Sequence, residues 1–304
     1  MTLSIRIFLF LVLAAAIPSA MYADPGKLAP HPFTHNGYSR PYLVYVPSHF
    51  GIHPPVVFVL GGVGSSAAST AQELGWTEEA DRYGFLLVFP EPLPQDPSKP
   101  FVIRENTTFW EMQGSRTHTV GAKAQVDDDG YLMAVLNEIL HTQAVDGKRV
   151  FLVGFSSGSG MVQLFASRHS RSIAAIAAIA TPLMEPPPRL FRPVAVLYIH
   201  GDDDEQFSGF EVNSPDFATT PHGNWVTWGY LDGCQIQRAR KTSWGVQFSW
   251  LGCRHHVPVI ADFVHGLDHV WLNSKSSWNL AHRPDDPLDF TELAWNFFSS
   301  VPAR

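Results

Sequence analysis

Arg149-Val150-Phe151-Leu152-Val153-Gly154-Phe155-Ser156-Ser157-Gly158 is the stretch from which the fold can be read. Its apolar centre, Val150 to Val153, predicts a strand buried on both faces, and a helix-compatible run from Ser157 to Ser167 follows with almost no connecting residues. Residues 154–158 between them fit G-x-S-x-G. A strand that turns abruptly into a helix brings backbones too close for side chains, which gives both glycines a steric reason. The residue at the centre of such a turn is strained and presents its side chain. Ser156 is therefore the candidate nucleophile. The bare pattern also fits a small-residue turn with an inert serine, and the strand-turn-helix context is what favours the catalytic reading.

Working outward, strand-like runs occupy Tyr42 to Val46 and Val56 to Leu60, each rich in β-branched or aromatic residues and bounded by Pro or Gly. Good helix formers from about Ala67 to Tyr83 stop at Gly84, and the apolar run Phe85 to Phe89 predicts another doubly buried strand. Four prolines between Pro92 and Pro100 exclude regular helix from a loop-like segment running to Lys123. From Val126 to Thr142, Tyr131, Leu132, Val135, Leu136, Ile139 and Leu140 fall on one helical face, behind an acidic start at Asp127 to Asp129. Ile173 to Ile179 and Val194 to His200 are further strands, and Phe290 to Ser299 is a last helix. Buried strands alternating with helices predict an α/β fold whose mostly parallel sheet is covered on both faces. Chemistry is then expected beyond the carboxyl ends of the strands.

A serine hydroxyl needs a base to take its proton and an acid to orient that base. The strand Val194 to Ile199 runs into His200-Gly201-Asp202-Asp203-Asp204, and a strand over Val257 to Val264 runs into His265-Gly266-Leu267-Asp268-His269-Val270-Trp271. Position leaves three acids and two bases to choose from. Oxyanion donors are expected from the backbone of Ser157 and from the loop Gly61-Gly62-Val63-Gly64, with Gly62 as the donor. A zinc site at His265 and His269, with His255-His256 nearby, needs a helix that Gly266 and the preceding strand oppose, so no metal is expected.

From about Tyr38 to Trp271 the chain resembles the secreted polyhydroxybutyrate-depolymerase-like esterases of the α/β-hydrolase superfamily, which include feruloyl and acetylxylan esterases. Asp146-Gly147-Lys148-Arg149-Val150 with Gly154-Phe155-Ser156-Ser157-Gly158 resembles the family's approach to its nucleophile. His200-Gly201-Asp202-Asp203-Asp204 resembles its H-G-x-x-D, which implies Asp204 as the acid, and Asp268-His269-Val270-Trp271 resembles its G-H-x-W, which implies His269 as the base. The resemblance implies a single-domain α/β-hydrolase fold and a serine carboxylic-ester hydrolase that needs no cofactor. Its implied substrates are polymer-linked feruloyl or acetyl esters of plant polysaccharide, with short hydroxyalkanoate polyesters second. The chain departs from the family at Leu60-Gly61-Gly62, where H-G-x is usual, at Leu272, where proline follows the tryptophan, and at Glu205-Gln206-Phe207. The lost oxyanion-loop histidine motivates a different class, a non-catalytic hydrolase-like binding protein. Seven of the nine tryptophans fall between Trp225 and Trp295, most of them expected in the core, with Trp271 beside the proposed base as the candidate substrate contact.

Composition bounds the rest. Of 304 residues 45% are hydrophobic and 16% charged, enough apolar material for a large core and far from disorder. A net charge of −7 without any Lys/Arg cluster argues against nucleic acid or an anionic membrane as partner. Arg6, the apolar run Ile7 to Ile17 and the small residues Ser19, Ala20 and Ala23 read as a secretory signal over residues 1–23, leaving 24–304 as one catalytic domain that is extracellular and not membrane-bound. In an oxidising compartment the two cysteines, Cys234 and Cys253, are expected to form one disulfide. Asn106-Thr107-Thr108 fits a glycosylation acceptor.

Overall fold

The computed structural model describes residues 24–112, 126–184, 189–205, 227–275 and 288–303. The chain opens with an edge strand, β1 (Lys27–His31), a short hairpin of β2 (Thr34–His35) and β3 (Tyr38–Ser39), and then β4 (Tyr42–Val46) and β5 (Val56–Leu60). Helices α1 (Ala67–Glu73) and α2 (Trp76–Tyr83) lead to β6 (Leu86–Pro90), followed by a small pair, β7 (Leu93–Pro94) and β8 (Thr108–Phe109). Next come α3 (Asp128–Thr142), β9 (Val150–Phe155), α4 (Ser157–Arg168), β10 (Ala175–Ile179) and β11 (Ala195–Gly201). The last third holds α5 (Thr227–Leu231), β12 (Ile236–Lys241), β13 (Gly245–Leu251), β14 (Val259–Val264) and α6 (Phe290–Ser300).

Ten strands form one sheet in the order β1-β4-β6-β5-β9-β10-β11-β14-β13-β12. The centre, from β6 through β14, is parallel, and the outer pairs on both sides are antiparallel. Every residue of β5, β6, β10 and β11 is buried, because helices cover both faces. Alternation within each strand divides the core in two. Val56, Phe58 and Leu60 pack with Leu132, Leu136 and Phe165 of α3 and α4, while Val57 and Val59 pack with Trp76, Ala80 and Phe298 of α2 and α6. The expected α/β architecture is the observed one.

Three features differ from the sequence expectation. The helix expected over Ala67 to Tyr83 is two helices, because Gly75 takes a left-handed conformation (φ +71°) between them. The first is closed by a Ser66/Ser69 capping box, and Gly84, also left-handed, ends the second. Edge strand β1 has no sequence signature, because Lys27-Leu28-Ala29-Pro30-His31 carries no clean hydrophobic pattern. The β12–β13 hairpin differs too: β12 is exposed throughout, and its Arg238, Arg240 and Lys241 suit an edge that must not recruit another strand. The alternation of Val246, Phe248 and Trp250 in β13 was the available signal.

The Cys234–Cys253 disulfide closes the base of that hairpin. Arg254 reinforces it, donating from Nη2 to the Leu231 carbonyl at 2.7 Å while its backbone N–H donates to Asp232. Replacing both cysteines by serine is expected to cost about 3 kcal/mol for a loop of this size. Thermal melting should show a fall of roughly 6–12 °C, reproduced by adding reductant to the wild type.

Asp262 of β14 is a buried carboxylate that accepts a hydrogen bond from Gln247 Nε2 at 2.9 Å. Burial pushes its pKa up to about 6. Below about pH 4 it is protonated in folded and unfolded chains alike. As pH rises to about 6 the folded chain holds the proton more tightly, and above that a charge stays buried, so its contribution to stability falls with rising pH. Asp262→Asn keeps an acceptor for Gln247 and removes the charge. It is expected to raise stability by about 1–2 kcal/mol at pH 7.5 and to leave it unchanged near pH 3.5, as denaturant melts at the two pH values would show.

Candidate active site

Four loops meet beyond the carboxyl ends of the central strands: one after β5, the β9–α4 turn, one after β11 and one after β14. At the β9–α4 turn Ser156 stands at φ +53°, ψ −121°, a conformation that L-residues rarely adopt. Its N–H donates to the Ile179 carbonyl at 3.0 Å and its carbonyl accepts from Gly160 N–H at 3.1 Å, so both neighbouring elements hold the strained residue in place. The flanking glycines are sterically required. A Cβ on Gly154 would sit 2.2 Å from the Gly158 carbonyl oxygen, and one on Gly158 would sit 2.4 Å from that of Leu60. Helix α4 is fixed from behind by Ser159 Oγ and Gln163 Nε2, which both donate to the Thr181 carbonyl at 2.7 Å.

The loop after β5 passes directly over this turn. A Cβ on Gly62 would lie 3.1 Å from the Ser156 Cβ, so the Gly62 backbone borders the serine. Ser157, the other expected donor, is buried as the first residue of α4, with its Oγ 3.5 Å from Trp110 N–H. The missing family histidine leaves a loop held by other means: Ser65 Oγ donates to the Gly62 carbonyl at 2.7 Å, and Gly64 N–H donates to the Thr108 carbonyl at 2.8 Å.

The loops after β11 and β14 bring the expected acid and base together. His269 Nδ1 lies 2.7 Å from Asp204 Oδ2; the Asp204 side chain is fully buried, while that of His269 is partly exposed. A proton on Nδ1 directed at the carboxylate leaves Nε2 as the basic nitrogen. Phe155, one residue before Ser156, packs its ring 5.1 Å from the imidazole and so links the base to the serine turn. Behind Asp204, His200 contacts the Tyr198 hydroxyl through Nδ1 at 2.9 Å, and burial pushes its pKa down to about 4. At neutral pH His200 is thus uncharged, and it places no competing cation beside Asp204.

The other two acids of the loop after β11 are placed differently. Asp203 is exposed, but Asp202 is bound to the second histidine: His265 Nδ1 lies 2.6 Å from Asp202 Oδ2, and Gly266 N–H donates to Oδ1 at 2.6 Å. This second pair clamps the acid-bearing loop to the base-bearing loop, together with Asp203 N–H donating to the Leu267 carbonyl at 3.2 Å. The two histidines therefore face separate carboxylates. Among the described residues no three His, Cys, Asp or Glu side chains cluster closely enough to hold a metal ion.

Two of the expected site residues are buried. Trp271 borders the cleft, yet it is only 3% exposed, its indole N–H donates to Thr291 Oγ1 at 3.2 Å, and its ring meets Phe290 edge-on. It supports the His269 loop from beneath and offers no open face for a ligand to stack on. Asn106 is buried, with its Nδ2 directed at the carbonyls of Asp96, Lys99 and Pro100 and its Oδ1 accepting from Asp96 N–H. Its amide organises the loop. The expected signal over residues 1–23 and the tryptophans Trp225 and Trp278 lie outside the described residues.

Residues 40–183 match the family described as Esterase PHB depolymerase. The chain has the α/β-hydrolase fold and is similar to the PHB-depolymerase-like esterases. The acetyl xylan esterase of Aspergillus awamori shares the α/β-hydrolase fold with a TM-score of 0.61 at 13% identity, over 90% of this chain and 99% of that one. A bifunctional acetylxylan esterase/xylanase of Neocallimastix patriciarum is 24% identical over 265 residues, 80% of this chain and 34% of that protein. A feruloyl esterase B of Thermothelomyces thermophilus is 29% identical over 166 residues, 54% of this chain and 50% of that one. The chain thus spans a third to a half of the length of these two curated relatives.

Proposed function

We propose that this protein is a secreted serine carboxylic-ester hydrolase that works through an acyl-enzyme. Ser156 attacks the ester carbonyl, His269 takes its proton and returns it to the leaving alcohol, and Asp204 holds the imidazole in the required tautomer. The backbone N–H groups of Gly62 and Ser157 stabilise the oxyanion. One observation carries the reading: an Asp204–His269 pair at 2.7 Å stands on the same sheet end as a serine strained at φ +53° between two obligatory glycines.

Acetyl or feruloyl esters of plant polysaccharide are the proposed substrates, in keeping with what the relatives' names describe. A cleft lies beside His269 and Gly62. It encloses about 320 Å³ and is walled by hydroxyl-bearing side chains, with Trp271 buried instead of presenting a ring to a phenolic acyl group. Hydrolysis of 4-nitrophenyl acetate, acetylated xylo-oligosaccharide, methyl ferulate and a soluble hydroxybutyrate oligomer, each beside Ser156→Ala, tests the proposal. Preference for the acetylated sugar supports it; preference for the oligomer would move the substrate to polyesters. Equal rates for wild type and Ser156→Ala on every ester would sink the triad and leave a non-catalytic binding protein.

A further inference from the structure

Glu73, in the last turn of α1, is the one carboxylic acid among the described residues that wall the cleft next to His269. Its backbone carbonyl accepts from Lys275 N–H at 2.6 Å. Its carboxyl group has no hydrogen bond or ion pair with another described residue. Half-burial without a compensating donor pushes its pKa up. Desolvating a carboxylate without a partner is unfavourable, and such a group in a cleft beside the proposed base is placed to meet a ligand. Its polar neighbours are differently committed: Ser65 donates to the Gly62 carbonyl, and Ser69 is engaged in the cap of α1.

An ionised carboxylate only accepts hydrogen bonds, so its partner must bring donors: either a pair of hydroxyls or a cation. The cleft favours hydroxyls. A cation-binding box needs open aromatic faces, whereas Phe155 is packed against His269 and Trp271 is buried. Ser65, Ser69, Thr70 and Ser274 also line the wall, leaving the Glu73 carboxyl as the acceptor without a described partner. We infer that Glu73 is a specificity-determining residue that accepts hydrogen bonds from the ring hydroxyls of the sugar bearing the scissile ester. The inference rests on the ester-hydrolase reading and extends it to the alcohol side of the substrate.

The test compares wild type, Glu73→Ala and Glu73→Gln on acetylated xylo-oligosaccharide, 4-nitrophenyl acetate and acetylthiocholine, with melting temperatures recorded for each variant. Loss of a charge-assisted hydrogen bond in Glu73→Ala is expected to lower kcat/KM on the sugar ester on the order of 10-fold more than on 4-nitrophenyl acetate. The change should lie mainly in KM, because the contact is made equally in the bound and transition states. Glu73→Gln, which keeps one acceptor oxygen, should recover part of the loss. A loss equal on sugar ester and nitrophenyl ester would mean that Glu73 acts through the fold, and would overturn the inference. A wild-type preference for acetylthiocholine that disappears in both variants would overturn it in favour of a cationic alcohol. In either case wild-type activity abolished by Ser156→Ala would leave the esterase reading standing, while a wild type inert on all three esters would remove both.

Discussion

Ser156→Ala is expected to lower kcat on any accepted ester by roughly 10⁴- to 10⁶-fold, the scale on which loss of an activated serine removes covalent catalysis. The fold should survive. Alanine retains the Cβ that already occupies this site, and the two backbone hydrogen bonds that secure residue 156, to Ile179 and from Gly160, do not involve the hydroxyl. The melting temperature should accordingly stay within about 2 °C of wild type. Residual activity above the buffer rate would report what the Gly62 and Ser157 donors contribute without a nucleophile. A variant that is folded and fully active would disprove the assignment of Ser156. A stopped assay on 4-nitrophenyl acetate together with a thermal melt separates these outcomes.

Gly158→Ala is expected to damage both stability and activity. The added Cβ would lie 2.4 Å from the Leu60 carbonyl oxygen and 2.5 Å from that of Gly61, backbone atoms that cannot rotate away as a side chain can. Relief requires moving α4 from β5 or displacing the Gly61–Gly64 loop, and overpacking of this kind costs about 3 kcal/mol. A fall in melting temperature of roughly 6–12 °C should follow. Because the loop that moves is the one bordering Ser156, kcat should drop even at temperatures where the variant is folded. Gly147→Ala is the control. Its Cβ would meet only Leu140 Cδ2, at 3.5 Å, so a change within about 0.5 kcal/mol is expected there.

Local chemistry explains which parts of the fold were legible in the chain. Strands β4, β5, β6, β9, β10 and β11 are largely apolar runs, β14 is one broken by Asp262, and each lies within two residues of its expected limits. β1 and β12 carry no such signature, since an edge strand has one neighbour and much of its surface in water. The break at Gly75 was hidden by strong helix formers on either side. In the site, Ser156 announces itself through the glycines that its turn demands, whereas the choice of Asp204 and His269 came from resemblance to a family. The Asp202–His265 pair went unseen because its members, 63 residues apart, become neighbours only when β11 and β14 pair in parallel.

The sequence by itself determined the alternation of buried strands and helices, the strand-turn-helix housing of Ser156 and the two glycines around it. Those features follow from sterics and periodicity over a few residues. Tertiary structure alone decided that Asn106 is a buried loop organiser, that Trp271 supports a loop from below, and that Glu73 borders the cleft without a described partner. Burial and hydrogen-bond partners are set by which distant segments the sheet order brings together, and that order is a property of the whole chain.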